Sequence, residues 1–231
     1  MHPRPLVIID MAGVLIDGGT REPRPGLTGF LSMIERKADL VLWTARKKVK
    51  QDARGKRQPS KQGSARLAAI ERVHTFGPSL KAVLYGEDCI DSGLNVPNLP
   101  YKKPLALKDA ALVWQRLGRD LPLGTTFSTL VIDDAPLKWA LNPGVLALYP
   151  EEWTKGAGGD GLAPEGWIYK AVERALDAYL RTEQPGMAGP DMVTSAFRTL
   201  AAGGTEWQCL PLDEAVRALG GLRAIKEASG R

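Results

Sequence analysis

The sequence predicts an α/β fold in which a mainly parallel sheet lies between two layers of helices, a doubly wound three-layer sandwich. Five short apolar runs are separated by segments with helical periodicity, and the runs do not alternate apolar with polar residues. Such runs are typical of strands that are buried on both faces, as in parallel sheets. Strands that alternate with helices along a chain favour this architecture.

Each element has its own signal. The strands are predicted at residues 6–9, 40–43, 82–85, 130–132 and 145–148. The first helix follows Pro25-Gly26, and its apolar residues recur at i, i+3, i+4 and i+7, which places them on one face. Two more helices have similar patterns, so that the three predicted faces are Leu27-Phe30-Leu31-Ile34, Leu107-Ala111-Trp114-Leu117 and Ile168-Val172-Leu176-Tyr179.

Three segments break this alternation. Residues 47–63 are charged and nearly free of apolar side chains, which predicts an exposed loop, and residues 87–103 form an irregular insert. Residues 182–190 are rich in Gly and Pro and are predicted to be a linker. The predicted organisation is therefore a core over residues 1–181, the linker, and an appendage over residues 191–231 with weak helices near 191–201 and 212–219.

Composition excludes several classes of protein. No apolar run approaches the roughly 18 residues that a membrane helix needs, and the first residues do not resemble a signal peptide. Two cysteines and two histidines are too few for a disulfide framework, a Cys-rich zinc site or a histidine-based metal centre. We therefore expect an intracellular, cytoplasmic protein whose chemistry depends on carboxylates, lysines and hydroxyls.

The positive charge is local. The chain has a net charge of +5, yet the stretch from Arg46 to Arg66, here called the basic segment, contains nine bases and one acid. Electrostatic attraction of nucleic acid or another polyanion is one interpretation. A solvated loop is the other, and the absence of interleaved aromatic residues leaves the two evenly balanced.

Polar side chains follow three of the predicted strands. Asp10 follows the first strand, Thr44 the second, and Asp133 and Asp134 the fourth. Ligands of open α/β sheets bind beyond the carboxyl ends of the strands, so these residues are predicted to meet at one edge. Carboxylates that meet there would repel one another unless a cation lies between them, and oxygen ligands favour Mg²⁺. Together with the ion, a phosphate group is the natural substrate.

These residues resemble a known family. The segments Asp10-Met11-Ala12-Gly13-Val14-Leu15, Trp43-Thr44-Ala45-Arg46, Lys103 and Asp133-Asp134-Ala135-Pro136 are similar to the four ordered motifs of haloacid-dehalogenase (HAD) phosphatases. The segment Leu117-Gly118-Arg119-Asp120-Leu121 resembles the branch of small C-terminal-domain phosphatases with the NLI-interacting-factor domain. The resemblance covers about residues 5–155 and implies a HAD-like, Rossmannoid sandwich without a large cap.

The resemblance also implies roles. Asp10 would be the nucleophile that forms an aspartyl-phosphate, and Thr44 would hold a phosphoryl oxygen. Lys103 would neutralise the phosphoryl oxygens, although the adjacent Lys102 leaves this assignment open by one residue. The Mg²⁺ ligands would be Asp10, the main-chain carbonyl of Ala12, Asp133 and Asp134. Lys102 and the first residues of the basic segment, which border the predicted site mouth, are expected to contact substrate: Arg46, Lys47 and Lys48.

One position departs from the family pattern. The second aspartate of the first motif, which protonates the leaving group and then activates water, is replaced by Ala12. Because general acid–base assistance contributes about 10²–10⁴ in rate, turnover is expected to be attenuated or abolished. The alternatives are a natural pseudophosphatase, an alanine introduced on purpose, or another acid such as Asp17 or Glu22.

A fourth alternative follows from the same position. Asp-x-Ala-Gly also resembles the first motif of the phosphonoacetaldehyde hydrolases, but residues 10 to 44 leave too little chain for the cap of that family. The sequence therefore predicts a Mg²⁺-dependent phosphoryl hydrolase weakened at Ala12, or a non-catalytic phosphate- or nucleic-acid-binding protein on the same scaffold.

Overall fold

A computed structural model describes residues 4–51, 57–59, 61–93, 105–119, 129–139, 141–142, 145–156 and 161–181. The strands in these ranges are β1 (Leu6–Ile9), β2 (Asp39–Trp43), β3 (Val49–Gln51), β4 (Arg57–Pro59), β5 (Leu80–Leu84), β6 (Ile90–Asp91), β7 (Ala106–Leu107), β8 (Thr129–Ile132) and β9 (Leu146–Leu148). The α-helices are α1 (Leu27–Lys37), α2 (Lys61–Glu71), α3 (Ala110–Arg116) and α4 (Trp167–Arg181), and short 3-10 helices span Gly86–Asp88 and Pro136–Trp139.

The main sheet has five strands in the order β5-β2-β1-β8-β9. Each neighbouring pair is parallel. The chain therefore starts in the middle of the sheet, builds one half outwards through β2 and β5, and then returns to build the other half. The predicted α/β class, the mainly parallel sheet and the strand positions are confirmed, with shifts of one or two residues at some strand ends.

Side chains of the central strands point alternately into two separate cores. Val7 and Ile9 belong to a cluster that includes residues of α1 and α4. Leu6 and Ile8 belong to a second cluster that includes residues of α3. Because successive side chains of a strand face opposite sides of a sheet, uninterrupted apolar runs fill both cores, and the three-layer arrangement is confirmed.

The helices on the sheet follow the predicted faces with one shift. The first and third predicted helices correspond to α1 and α4. The second begins at Ala110 rather than at Leu107, because Leu107 is paired with Ile90 between β7 and β6. Asp109 then caps α3, since its Oδ1 accepts a hydrogen bond of 2.9 Å from the Ala111 amide.

The prediction of an exposed loop over residues 47–63 was wrong. β3 and β4 pair antiparallel as a hairpin within the basic segment, and α2 begins at Lys61, inside the same stretch. Main-chain hydrogen bonds form such a hairpin without an apolar run, so hydrophobic pattern does not reveal it. Helix α2 has few apolar residues, with Leu67, Ala69 and Ile70 against the core.

Several predictions fall on residues outside the described ranges. Lys102 and Lys103, the linker at residues 182–190 and the appendage at residues 191–231 belong to this group, so their roles stay predictions. The insert at residues 87–103 is described to residue 93, where it contains β6. Across the described part of the chain, every helix is too short or too polar to cross a bilayer.

Candidate active site

Asp10 lies at the carboxyl edge of the sheet, between its two neighbouring strands. Ile9 is in register with Leu42 of β2 and with Ile132 of β8, so the residues after these strands lie side by side. The Asp10 side chain is 3% exposed, and its amide donates to the Ile132 carbonyl at 2.8 Å. Asp10 is therefore fixed by the sheet itself at the centre of this edge.

Lys108 joins the ends of three strands beneath Asp10. Its fully buried Nζ lies 2.6 Å from Asp133 Oδ2, 3.1 Å from Asp10 Oδ1 and 3.0 Å from the Trp43 carbonyl. The contacts with Asp133 and with the Trp43 carbonyl are hydrogen bonds, whereas the contact with Asp10 is an ion pair. Lys108 thus supplies the buried cation that allows the carboxylates following β1 and β8 to lie together.

The backbone of Lys108 is held as firmly as its side chain. Its amide donates to the Lys138 carbonyl at 2.6 Å, and its carbonyl accepts a 2.7 Å hydrogen bond from Asn142 Nδ2. The Oδ1 atom of Asn142 also accepts from the Ala110 amide at 2.7 Å. The start of α3 is therefore anchored to the segment after β8, and the direction of the Lys108 side chain is set by this anchor.

Both oxygens of Asp133 are occupied by protein groups. Oδ2 accepts from Lys108 Nζ and, at 2.8 Å, from Trp139 Nε1, while Oδ1 accepts from the Ala135 amide at 2.9 Å and from Lys138 Nζ at 3.3 Å. Although burial acts to raise it, the ammonium groups of Lys108 and Lys138 hold the pKa of Asp133 well below its usual range. Asp133 therefore stays ionised and positions the two lysines.

Asp134 is the less satisfied of the two neighbouring carboxyls. Its Oδ1 is buried without a hydrogen-bond partner and lies 3.8 Å from Lys138 Nζ. Burial raises the pKa of Asp134 well above its usual range; Lys138 opposes this shift, and Asp10 and Asp133 add to it. Negative charge at this carboxyl is thus under-compensated by the described protein groups.

Gly13 allows the loop after β1 to approach Asp134. Its φ is +83°, and a Cβ at this position would lie 2.3 Å from Asp134 Oδ2 and 3.1 Å from Glu152 Cγ. The Gly13 carbonyl accepts a 2.7 Å hydrogen bond from the Trp153 amide, which connects the loop to the segment that follows β9. A side chain at position 13 would displace the Asp134 carboxyl from the cluster.

Thr44 is buried at the end of β2, and a residue of α2 reaches its hydroxyl. Arg66, also buried, donates from Nη1 to Thr44 Oγ1 at 2.9 Å. Burial lowers the pKa of Arg66, while the nearby carboxylates of Asp10 and Asp134 raise it. Because the arginine occupies an acceptor site of the hydroxyl, the hydroxyl hydrogen remains available to a phosphoryl oxygen.

The first residues of the basic segment border this site. Arg46, Lys47 and Lys48 are exposed and follow Thr44 directly. The Arg46 amide lies 3.3 Å from Thr44 Oγ1, and the Lys48 ammonium lies 5.3 Å from the centre of the Tyr85 ring. Their main chain thus begins at the carboxyl edge of the sheet, and their contact with a substrate stays a prediction.

The loop after Asp10 holds two further acids, and both are engaged elsewhere. The Asp17 carboxylate accepts hydrogen bonds from the amides of Lys155, Thr20 and Gly19 at 2.6, 2.5 and 2.8 Å. These amides, with Lys155 first, lower the pKa of Asp17 to about 2. Glu22 forms an exposed ion pair of 3.0 Å with Lys155.

The structure brings together Asp10, Thr44, Asp133 and Asp134, as the strand ends predicted, and Ala12 lies in the loop between Asp10 and Gly13. Sequence reasoning missed three cations at the same place. Lys108 had a usable signal, because it is the lysine directly before an apolar helix that precedes Leu-Gly-Arg-Asp-Leu. Lys138 and Arg66 lie in a 3-10 turn and in the weakly amphipathic α2, and no local pattern marks them.

The carboxylate cluster suits a hard cation. One oxygen from each of Asp10, Asp133 and Asp134 lies within 4.8 Å of the others. Asp10 Oδ1 and Asp134 Oδ1 are buried without a hydrogen bond, whereas Asp133 is saturated. Carboxylate oxygens are the ligands that Mg²⁺ prefers. The orphaned oxygens favour Asp10 and Asp134 as ligands, and the assignment of Asp133 to the metal stays a prediction.

Comparisons with known proteins give structural neighbours only. No known protein family and no curated protein matches the chain. One similar structure is a variant of the fission yeast RNA polymerase II CTD phosphatase Fcp1 bound to beryllium fluoride, with 18% identity and a TM-score of 0.38 over 96% of this chain. Another structure of Fcp1 has 17% identity and a TM-score of 0.37 over 90% of this chain. The chain spans 57% and 56% of these two structures, and likeness at this level carries no functional argument.

Proposed function

We propose that this protein has a HAD-like phosphoryl-hydrolase site in which Asp10 is the nucleophile and in which Ala12 attenuates turnover. The observation that carries the proposal is the convergence of Asp10, Thr44, Lys108 and Asp134 at one sheet edge. A buried carboxylate beside an ammonium and a hydroxyl suits attack on a phosphoryl group whose oxygens need positive charge and donors. The resemblance of the ordered motifs supports the same chemistry.

The proposed reaction has two steps. An Asp10 oxygen attacks phosphorus, the bond from phosphorus to the leaving oxygen breaks, and an aspartyl-phosphate forms. Water then attacks that phosphorus, the bond to Asp10 breaks, and inorganic phosphate leaves. Thr44 donates its hydroxyl hydrogen to a phosphoryl oxygen, and Lys108 holds Asp10 in position. Mg²⁺ held by Asp10, Asp134 and the carbonyl of Ala12 would neutralise charge on the phosphoryl oxygens.

Because residue 12 is alanine, its side chain can neither donate nor accept a proton in either step of the reaction. In the first step the leaving oxygen must take its proton from solvent, and in the second the attacking water is not deprotonated by a side chain at position 12. Asp17 is a poor substitute, because three backbone amides occupy its carboxylate and favour its ionised form. Glu152 is exposed and lies against the loop at Gly13. Glu152 is therefore the candidate for proton transfer in place of the missing acid. Glu152→Gln should lower any residual turnover, whereas Glu22→Gln should leave it unchanged.

The decisive experiment restores the acid. Ala12→Asp is expected to raise Mg²⁺-dependent phosphate release from an alkyl phosphate by about 10²–10⁴. The gain should be smaller for p-nitrophenyl phosphate, whose leaving group departs without a proton. Ala12→Asn is the matched control, since it adds similar bulk without an acid, and Ala12→Asp combined with Asp10→Asn should be inactive.

The second candidate function is a non-catalytic protein that binds phosphate or nucleic acid on the same scaffold. The observation that favours it is Ala12 itself, together with the exposed basic residues beside Thr44. Beryllofluoride with Mg²⁺ should raise the melting temperature under either function. If Ala12→Asp folds, binds Mg²⁺ and hydrolyses neither substrate, the binding function replaces the enzymatic one.

A further inference from the structure

Lys138 places a second ammonium group inside the carboxylate cluster. Its Nζ lies 3.3 Å from Asp133 Oδ1, 3.4 Å from Asp10 Oδ2 and 3.8 Å from Asp134 Oδ1. The side chain is 14% exposed. One ammonium group of this protein therefore contacts all three carboxylates, and it lies beside Asp134 Oδ1, an orphaned oxygen that would hold a divalent cation.

The backbone around Lys138 directs this side chain inwards. The Lys138 carbonyl accepts from the buried Lys108 amide at 2.6 Å, and the Lys138 amide donates to the Ala135 carbonyl at 3.1 Å. The next residue, Trp139, is buried, and its Nε1 donates to Asp133 Oδ2 at 2.8 Å. The turn is thus fixed on both sides of Lys138. Its contact with the cluster is built into the fold, unlike that of an exposed lysine on a free side chain.

A divalent cation and this ammonium group compete for the same two carboxylates, those of Asp10 and Asp134, and the orphaned oxygen Asp134 Oδ1 is common to both. A cation bound at about 2.0–2.1 Å from the carboxylates would lie at short range from Nζ in a buried site. Like charges repel strongly there, because little water screens them. Lys108 is held in place, since its fully buried Nζ donates to both Asp133 Oδ2 and the Trp43 carbonyl. The Lys138 ammonium contacts the carboxylates at longer distances, 3.3 to 3.8 Å, and its side chain is 14% exposed, so it is the group that can turn outwards.

We propose that Lys138 is a resident cation of the cluster, which a divalent metal ion must displace in order to bind. This inference extends the proposed function, since it concerns the same carboxylates, but it concerns metal affinity rather than turnover. The affinity for Mg²⁺ is thereby set below that of the bare carboxylate cluster. The coupling is reciprocal, so metal binding releases the Lys138 side chain towards the site mouth.

Titration calorimetry with Mg²⁺, and with Mn²⁺ as a second probe, tests the proposal without any substrate. Lys138→Met and Lys138→Gln should bind the ion about tenfold more tightly or better than the unmodified chain, within the usual range of coupling between sites. Without metal, both variants should melt at a lower temperature than the unmodified chain, and Mg²⁺ should raise their melting temperatures by more. Lys81→Met is the matched control, because Lys81 pairs with Asp39 at the opposite edge of the sheet. It should leave metal affinity unchanged.

Unchanged or weaker metal binding in a folded Lys138 variant overturns the proposal, and two variants guard against one that fails to fold. If a Lys138 variant binds beryllofluoride more weakly but binds the metal ion unchanged, Lys138 is a phosphate contact instead. If neither the unmodified chain nor the variants bind a divalent ion, the resident-cation proposal fails, and Mg²⁺ is no longer part of the proposed function. If Ala12→Asp hydrolyses neither substrate while Lys138→Met binds metal more tightly, only the proposed function is overturned.

Discussion

The Nζ atom of Lys108 lies 2.6 Å from Oδ2 of Asp133, and neither side chain is exposed to solvent. Such a pair is stable only while both partners are present, because each alone would be a buried, uncompensated charge. Here the pair also connects the end of β7 to the end of β8 and reaches Asp10 of β1. The geometry of the site and the stability of the sheet edge therefore depend on the same contact.

Lys108→Met should destabilise the fold strongly. It leaves Asp133 buried without its main partner, and removal of one partner of a buried pair costs about 3–5 kcal/mol. The measurement is the free energy of unfolding in denaturant. Lys81→Met removes a partly exposed lysine from an ion pair of 3.7 Å with the buried Asp39, which keeps Arg119 as a partner, so the change should cost about 0–1 kcal/mol. Equal effects in the two variants would show that the buried pair is not a structural support.

Gly13→Ala should weaken both the fold and the metal site. The left-handed backbone at φ +83° strains an alanine, and its Cβ would lie 2.3 Å from Asp134 Oδ2. Strain of this kind costs about 1–3 kcal/mol, and the displaced carboxyl should bind Mg²⁺ more weakly.

Gly29→Ala is the control for this change. Gly29 lies in α1, and nothing lies within 4 Å of a Cβ there. Alanine is a better helix former than glycine, so this variant should gain about 0.5–1 kcal/mol. A Gly13→Ala protein with normal stability and metal affinity would contradict the close approach of the loop to Asp134.

Asp17 should make the free energy of unfolding depend on pH in the acidic range. Its pKa falls from 3.8 to about 2 in the folded chain, so the folded state favours the ionised form. The stabilisation is complete above the unfolded value and is lost as the pH falls through the folded value. Asp17→Asn should therefore lower the free energy of unfolding at neutral pH, and the difference from the unmodified chain should shrink between about pH 4 and pH 2.

Glu22→Gln serves as the comparison for Asp17, because Glu22 lies in the same loop but in an exposed ion pair. It should change stability little at any pH. A constant difference between the Asp17→Asn and unmodified proteins from pH 5 to pH 2 would mean that the three amides do not favour the ionised carboxyl.

The basic segment should confer salt-dependent affinity for nucleic acid. Six neutralised phosphates correspond to a loss of about 10³ in affinity between 50 mM and 200 mM salt, because condensed counterions are released on binding. Binding of a short single strand and of a duplex by fluorescence anisotropy measures this slope. A variant should lose most of the affinity when these residues are replaced by glutamine: Lys47, Lys48, Lys50, Arg54, Lys56 and Arg57.

The control variant has the same net charge as the six-glutamine variant, but its replaced bases are exposed residues outside the basic segment. Its replaced residues are Arg36, Arg72, Lys81, Lys155, Lys170 and Arg174. Equal binding by the two variants would show that the segment is a solvated surface rather than a binding surface.

Local sequence patterns were sufficient for the sheet and for the residues that follow its strands. An apolar run such as residues 6–9 indicates a strand buried on both faces, and the next polar residue, Asp10, must then lie at the carboxyl edge. The same reasoning located Thr44, Asp133 and Asp134, because parallel strands align their carboxyl ends. Ala12 was identified only through the resemblance to the HAD phosphatases, whose first motif has an aspartate at this position.

Tertiary structure decided which cations reach the site, and of the three only Lys108 had a signal in the sequence, its place before an apolar helix. Lys108 follows the two-residue strand β7, Lys138 lies in a short 3-10 turn, and Arg66 reaches Thr44 from a helix that begins within the basic segment. None of these elements has a periodicity that predicts its place, and charged side chains in such segments are usually solvated. The sheet brings carboxylates close together, and they need cations nearby to offset their repulsion. The long-range packing of the 3-10 turn, α2 and α3 determines which side chains supply that positive charge.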